Sequence, residues 1–112
     1  MTPTLNRRVT LEAATRVPDG AGGFVETWQA LGSLWVGIKS GRGRIRDRFG
    51  VEMTSAPYKI TTRAAPFQSP SRPVAGQRMK DGARVFRLLS VADADGAGRY
   101  LTCVAQEEEV SS

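Results

Sequence analysis

Two residue types that serve many enzyme and metal sites are scarce in this chain of 112 residues. It contains no histidine, and Cys103 is its single cysteine. A disulfide within the chain is therefore excluded, as are metal sites rich in histidine or cysteine. Catalysis by a Ser-His-Asp or Cys-His arrangement within one chain is excluded as well. We expect a protein without enzymatic activity and without a cofactor or metal.

Long apolar runs are also missing. No run approaches the ~18–20 residues that a membrane-spanning helix needs, and residues 1–6 lack the apolar segment of a signal peptide. We therefore expect no membrane association and a place in the cytoplasm of the cell that makes the protein. The length and a hydrophobic fraction of 40% suit one globular domain over residues 1–112.

Positive charge is abundant: the net charge is +5, and 13 of the 16 basic residues are arginine. This balance favours polyanionic partners such as nucleic acid, although a genome rich in arginine codons gives the same composition. The charge is densest in one glycine-containing segment. Its basic residues are Lys39, Arg42, Arg44, Arg46 and Arg48. Arginine binds phosphate well, so this segment contacts a nucleic-acid backbone, or it is a solvated loop or docks on an acidic protein.

Short runs of β-branched and aromatic residues, separated by Gly- and Pro-rich turns, predict an all-β fold. Alternation within the first run places Val9, Leu11 and Ala13 inside. Such strands form either a small antiparallel barrel or a sandwich. Closing the sheet would remove exposed edges, so we predict a small antiparallel β-barrel of about six strands. The predicted strands are residues 8–13, 24–28, 34–38, 58–63, 84–91 and 99–105.

The connection between predicted strands three and four, residues 39–57, is longer than ~12–15 residues, the length beyond which unstructured loops are uncommon in compact domains. It contains either a short helix, with Ile45, Phe49 and Met53 on one face, or an extended loop with alternating arginines. The remaining connections are shorter. Gly32 and Ser33 predict a bend, residues 79–82 a tight turn, residues 64–74 an irregular loop and residues 106–112 an acidic tail.

Several other residues have a structural and a functional interpretation. Asp93 and Asp95 resemble the start of a calcium loop, but no bidentate glutamate follows, which favours turn residues. Glu107, Glu108 and Glu109 either pair with a basic surface on a neighbouring subunit or solubilise the tail. The larger aromatic residues are expected to be core or subunit-interface anchors rather than platforms for stacked bases. These are Trp28, Trp35, Phe86 and Tyr100, and Cys103 is expected in the core.

The order of motifs resembles one known family. An opening RVTLE (residues 8–12) precedes a Gly-rich turn, FVETW (24–28) and LWVGI (34–38), whose tryptophan lies in a strand. YKITTR (58–63), DGARVFRL (81–88) and LTCVAQE (101–107) follow in the same order. Over roughly residues 5–109 this pattern is similar to the head–tail joining proteins of tailed bacteriophages, also called head-closure or stopper proteins. A histidine that is common before the fourth strand is absent, and Phe86 replaces a frequent tyrosine.

The resemblance implies a structural virion protein with a small β-barrel that forms a cyclic homo-oligomer, a hexamer or a dodecamer. Such a ring joins portal or adaptor proteins to tail-terminator or tail-tube proteins at the head–tail interface of a phage, prophage or gene transfer particle. Double-stranded DNA passes through its channel, and we expect the basic residues of the linker to line that channel or to contact a partner. The alternative is a small OB-like nucleic-acid-binding protein.

Overall fold

The structure is a computed structural model that describes residues 4–40, 45–46, 52–53, 57–66 and 69–108. These residues form eight β-strands and no helix, and six of the strands close into an antiparallel barrel in the order β1-β2-β5-β8-β7-β6. The predicted six-stranded β-barrel is thereby confirmed. The strands are β1 (Arg7–Pro18), β2 (Phe24–Ser40), β3 (Ile45–Arg46), β4 (Glu52–Met53), β5 (Tyr58–Arg63), β6 (Arg78–Asp81), β7 (Arg84–Asp93) and β8 (Tyr100–Glu108).

The barrel interior is filled by alternate residues of each strand, as the period of two requires. Phe86 is the largest fully buried side chain among the described residues, and Cys103 and Ala105 supply small residues to the same core cluster. Thr62 is the buried polar residue, and its hydroxyl donates to the Trp35 carbonyl oxygen at 3.1 Å. The core cluster consists of Val9, Leu11, Val36, Ile60, Met79, Phe86, Leu88, Cys103 and Ala105.

Strand β2 is longer than predicted, because the predicted second and third strands are one continuous strand. Leu11 pairs with Gly32 and Glu12 pairs with Ala30, so Leu31 is an extra residue in a β-bulge. Gly32 has a φ of 144°, a conformation that side chains rarely adopt. The predicted bend at Gly32 and Ser33 is therefore wrong: the glycine accommodates a bulge inside a strand and does not end it.

The sixth barrel strand is β6, in a segment where we predicted a tight turn at residues 79–82. The tight turn instead follows the end of β6, at Gly82 (φ 62°). Strand β6 closes the barrel through three residue pairs with β1. Ion pairs bridge the same two strands near both ends of this seam: Arg7 with Asp81, and Arg78 with Glu12 at 2.6 Å.

The linker between β2 and β5 contains the two short strands β3 and β4, which pair with each other in an antiparallel register. At residues 45–46 and 52–53 the alternative of a short helix is therefore wrong. Strands β2 and β5 pair directly on either side of the linker, with Ser40 opposite Tyr58. The linker thus emerges at one end of the barrel, which we call the linker end.

A two-stranded arm extends from the opposite end. Among the described residues, β1 beyond Glu12 and β2 before Val36 pair only with each other, as far as Pro18 opposite Phe24. We call residues 13–30 the hairpin arm, and the barrel end from which it projects the arm end. At ~3.3 Å per residue, five or six residue pairs extend roughly 15–20 Å. The longest dimension of the molecule is 52 Å.

Candidate interaction surfaces

Two lysines lie side by side where the linker begins and ends. Lys39 on β2 is paired with Lys59 on β5, and both side chains are exposed. Directly opposed residues in an antiparallel pair point to the same face, and like charges there destabilise the sheet. Neither lysine forms an ion pair with another residue of the described part of the chain. The arrangement is therefore an electropositive site at the linker end that a polyanion would stabilise.

The arginines predicted to contact DNA or a partner follow Lys39 in the linker. Arg42, Arg44 and Arg48 lie outside the described residues, and Arg46 belongs to β3. The structure therefore places Lys39 at the surface and adds Lys59, which the sequence analysis missed. In the sequence, Lys59 could be recognised only as a basic residue in the strand that follows the linker.

Glu107 forms an ion pair within the chain. Its carboxylate accepts hydrogen bonds from Arg84 Nε at 2.9 Å and Nη2 at 3.1 Å. The Arg84 guanidinium also lies over Phe86, 4.8 Å from the ring centre, and contacts the Tyr58 hydroxyl. The hydrogen bond from Arg84 lowers the pKa of Glu107, and the same bond raises the pKa of Arg84.

The rest of the predicted acidic tail is only partly described. Strand β8 continues through Glu108, whose carboxylate lies 3.5 Å from Arg87 Nη1, and Glu109 lies outside the described residues. The prediction that the tail begins at residue 106 is therefore wrong for residues 106–108, which are paired with β7. Glu107 and Glu108 stabilise the β7–β8 hairpin, and their availability to a neighbouring subunit stays a prediction.

The two tryptophans have different environments. Trp28, half-buried at the base of the arm, lies against two guanidinium groups, with Arg78 at 4.1 Å and Arg87 at 5.8 Å from its ring. Trp35 is 58% exposed on the outer face of β2, opposite Arg8 on β1. Trp28 therefore attaches the arm to the barrel, whereas Trp35 is accessible to a partner.

Asp93 and Asp95 shape the turn between β7 and β8. The Asp93 carboxylate accepts from the Gly96 amide at 3.1 Å, and that of Asp95 accepts from the Ala97 amide at 3.0 Å. The hydrogen bond from Ala97 lowers the pKa of Asp95. This confirms their predicted role as turn residues. Within residues 4–40, 57–66 and 69–108 no cluster of acidic and cysteine side chains could hold a metal ion, and no helix could cross a membrane.

The arm end exposes several apolar side chains that the sequence analysis did not identify. Of the six large apolar side chains that are exposed in the described part of the chain, three are on the arm: Val17, Phe24 and Val25. A fourth, Val74, is 54% exposed at the rim of an open groove of about 630 Å³ at the base of the arm. Apolar residues on both sides of the Gly-rich segment 18–23 were the available signal.

Asp19 fixes the conformation of the arm tip. Its carboxylate accepts from the amides of Ala21 at 2.8 Å and Gly23 at 3.0 Å, and its own amide donates to the Gly23 carbonyl. These hydrogen bonds lower the pKa of Asp19. Gly20 and Gly22 have φ values of 83° and 88°, which this turn requires. The exposed tip is thus preorganised rather than an open loop.

The chain matches a protein family and is similar to several solved structures. The profile of the family described as phage head completion protein matches residues 1–108. A chain in the virion of a native gene transfer agent particle is 44% identical, with a TM-score of 0.79, and the alignment covers 98% of this chain and all of that one. Protein SF1141 from Shigella flexneri 2a, at 21% identity and a TM-score of 0.64, shares the fold over 92% of both chains. A search of curated proteins found no match.

Proposed function

Because this chain belongs to the phage head completion protein family, we propose that it forms a ring that joins the head of a phage-like particle to its tail. The observation that supports this most strongly is the match over residues 1–108, together with the 44% identical chain from a gene transfer agent virion. A structural virion role is common to both. The proposed partners are further copies of the chain, portal or adaptor proteins on the head side, and tail-terminator or tail-tube proteins on the tail side.

The barrel supplies two opposite ends for such a junction. The linker emerges at one end, beside Lys39 and Lys59, and the arm with its apolar tip emerges at the other. We infer that the linker end faces the channel through which double-stranded DNA passes. A cyclic assembly repeats each surface around its axis, so a few cations per subunit become a positive ring.

Such a ring of charge would hold DNA through its phosphates without reading base sequence. The pairing of Lys39 with Lys59 supports this assignment, because two exposed like charges in register oppose the stability of the sheet. Arg42, Arg44, Arg46 and Arg48 would extend the same surface into the channel. The role includes retaining DNA, and opening when the DNA leaves the particle.

The test uses a double variant that removes the positive charge without disturbing the fold. In Lys39→Gln/Lys59→Gln, relief of the like-charge contact should leave stability equal or slightly higher. We expect particles to assemble normally and to lose packaged DNA, measured as nuclease-sensitive DNA in purified particles. Lys80→Gln, the third lysine of the chain, is the matched control and should retain DNA.

A second set of variants separates the channel from a docking surface. With Arg42, Arg44, Arg46 and Arg48 replaced by serine, joined but leaking particles support the channel role. Separate heads and tails would instead assign the linker to docking on an acidic partner and would overturn the channel assignment. Normal DNA retention in both sets of variants would also overturn the channel assignment.

One observation favours a second candidate function, an OB-like nucleic-acid-binding protein. Exposed Trp35 and Arg8 lie opposite each other on the outer face of the barrel, and aromatic and basic groups together bind single strands. This function requires tight, salt-sensitive binding of single-stranded DNA by the isolated monomer. The ring proposal predicts weak binding by the monomer, so titration of a labelled oligonucleotide distinguishes them.

A further inference from the structure

The arm and the groove at its base have complementary shapes and chemistry. The groove lies between the base of the arm, the loop of residues 69–77 and strand β7. Its apolar lining includes Ala13, Leu31, Pro70, Pro73, Val74 and Val91. The tip of the arm exposes Phe24, at 65%, on one face, and the paired Val17 and Val25 on the other face. The groove is concave and mostly apolar, and Phe24 is the most exposed apolar side chain of the arm.

The arm of a subunit cannot fill its own groove. Residues 13–18 and 24–30 are paired from the base to the tip, which keeps the arm extended, and the tip turn is fixed by Asp19. The groove is at the base, whereas Phe24 is at the far end of the pairing, roughly 15–20 Å away at ~3.3 Å per residue. The occupant must therefore come from another chain.

Charge favours a second copy as that occupant. The charged residues of the arm are Arg16, Asp19 and Glu26, so residues 13–30 have a net charge of −1 in a chain whose total is +5. The groove includes the cationic Arg72, whose guanidinium Nη1 donates to the Ala65 carbonyl oxygen at 2.7 Å. An acidic arm with an apolar tip suits an apolar groove that contains an arginine.

We propose that the hairpin arm of one subunit docks in the groove of the next, with Phe24 against Val74. The contact joins two different surfaces of the same chain, and repetition of such a head-to-tail contact closes a ring when the rotation allows it. The inference rests on the proposed ring and names the surfaces that form it. Because both surfaces are at the arm end, the linker end is left to face the channel.

Disulfide crosslinking tests the contact. A Phe24→Cys/Val74→Cys double variant should give a ladder of covalent oligomers after mild oxidation of assembled particles, because a disulfide requires Cα atoms within about 7 Å. Both positions are exposed, so the substitutions should leave the fold intact, as circular dichroism would verify. The native Cys103 is buried, and burial raises its thiol pKa to about 12, so it should not contribute.

The matched control is Phe24→Cys/Leu89→Cys, because Leu89 is also exposed but lies on β7 outside the groove lining. This control variant should give no covalent oligomers under the same oxidation. Rings seen by electron microscopy without a 24–74 ladder would overturn this inference and leave the proposed function standing. Crosslinked products no larger than a dimer would indicate a symmetric contact or docking on a different protein. This result would also overturn the proposed contact between arm and groove. Absence of any ring would overturn both proposals.

Discussion

The guanidinium of Arg78 lies 4.1 Å from the centre of the Trp28 ring, and its Nε donates to Glu12 at 2.6 Å. One arginine of the closing strand β6 thus contacts β1 just before the arm begins and β2 within the arm. A cation–π contact of this kind contributes about 0.5–2 kcal/mol, depending on solvent exposure. The direction of the arm is therefore fixed by a small polar and aromatic cluster on the barrel surface.

Replacement of Trp28 tests this attachment. Trp28→Ala should lower the free energy of unfolding by about 1–2 kcal/mol, since both the stacking and the aromatic burial are lost. Amide hydrogen exchange should accelerate in residues 13–30 more than in the barrel. Phe24→Ala, at the exposed tip, is the control and should change stability by less than about 0.5 kcal/mol. Equal exchange in the two variants would contradict the assigned role of Trp28.

A substitution at Gly37 tests the position of the N-terminal segment. A Cβ at position 37 would overlap the carbonyl oxygen of Thr4 and contact the Leu5 side chain. We expect Gly37→Ala to displace this segment and to lower the free energy of unfolding by about 1–3 kcal/mol. In a chain truncated to begin at Leu5 the same substitution should cost much less. Chemical denaturation of the four proteins measures the difference, and an equal cost in both backgrounds would exclude this contact as the cause.

The ion pair of Arg84 and Glu107 predicts a pH dependence. Since the pKa of Glu107 is lowered in the folded state, the pair stabilises the protein above the unfolded pKa of 4.5 and loses this effect as pH falls through the lower folded value. Both side chains are about one-third or more exposed, so we expect about 1 kcal/mol or less.

The measurement is the denaturation midpoint of the wild type and of Glu107→Gln from pH 7 to pH 3. The difference between them should be largest near neutral pH and should shrink in acid. Glu26→Gln, which removes a carboxylate from the exposed arm, is the control for a general change in net charge. A difference that is constant with pH would show that Glu107 acts without its charge.

Local sequence pattern was sufficient for the fold class and for the buried Val9 and Leu11 of β1, because a period of two depends on neighbours in the chain. The third predicted inward residue, Ala13, is only half-buried and lines the groove. The local pattern failed at Gly32 and at residues 78–81. Glycine allows a bulge as readily as a bend, and the pairing of β6 with β1 decides which segment is a strand. The choice depends on contacts between residues more than 60 positions apart, which no local pattern contains.

The surface contacts were less predictable for the same reason. Arg84 and Glu107 meet because β7 and β8 pair in one particular register, and Trp28 meets Arg78 because the barrel closes. Residue type alone gave Trp28 and Trp35 the same expected role as core or subunit-interface anchors, whereas in the structure Trp35 is exposed and Trp28 is half-buried. The Lys39–Lys59 pair required the register of β2 and β5, so the sequence indicated only the basic linker.

The charged residues at the seam between β1 and β6 also determine how β6 pairs when it closes the barrel. On β1 a cation (Arg7) precedes an anion (Glu12), and on β6 a cation (Arg78) precedes an anion (Asp81). Because the strands are antiparallel, this order sets opposite charges together at both ends. A parallel arrangement would instead set like charges together. The four side chains thus favour the antiparallel direction and the observed register of β6 against β1. They specify where this strand of four residues pairs in the sheet.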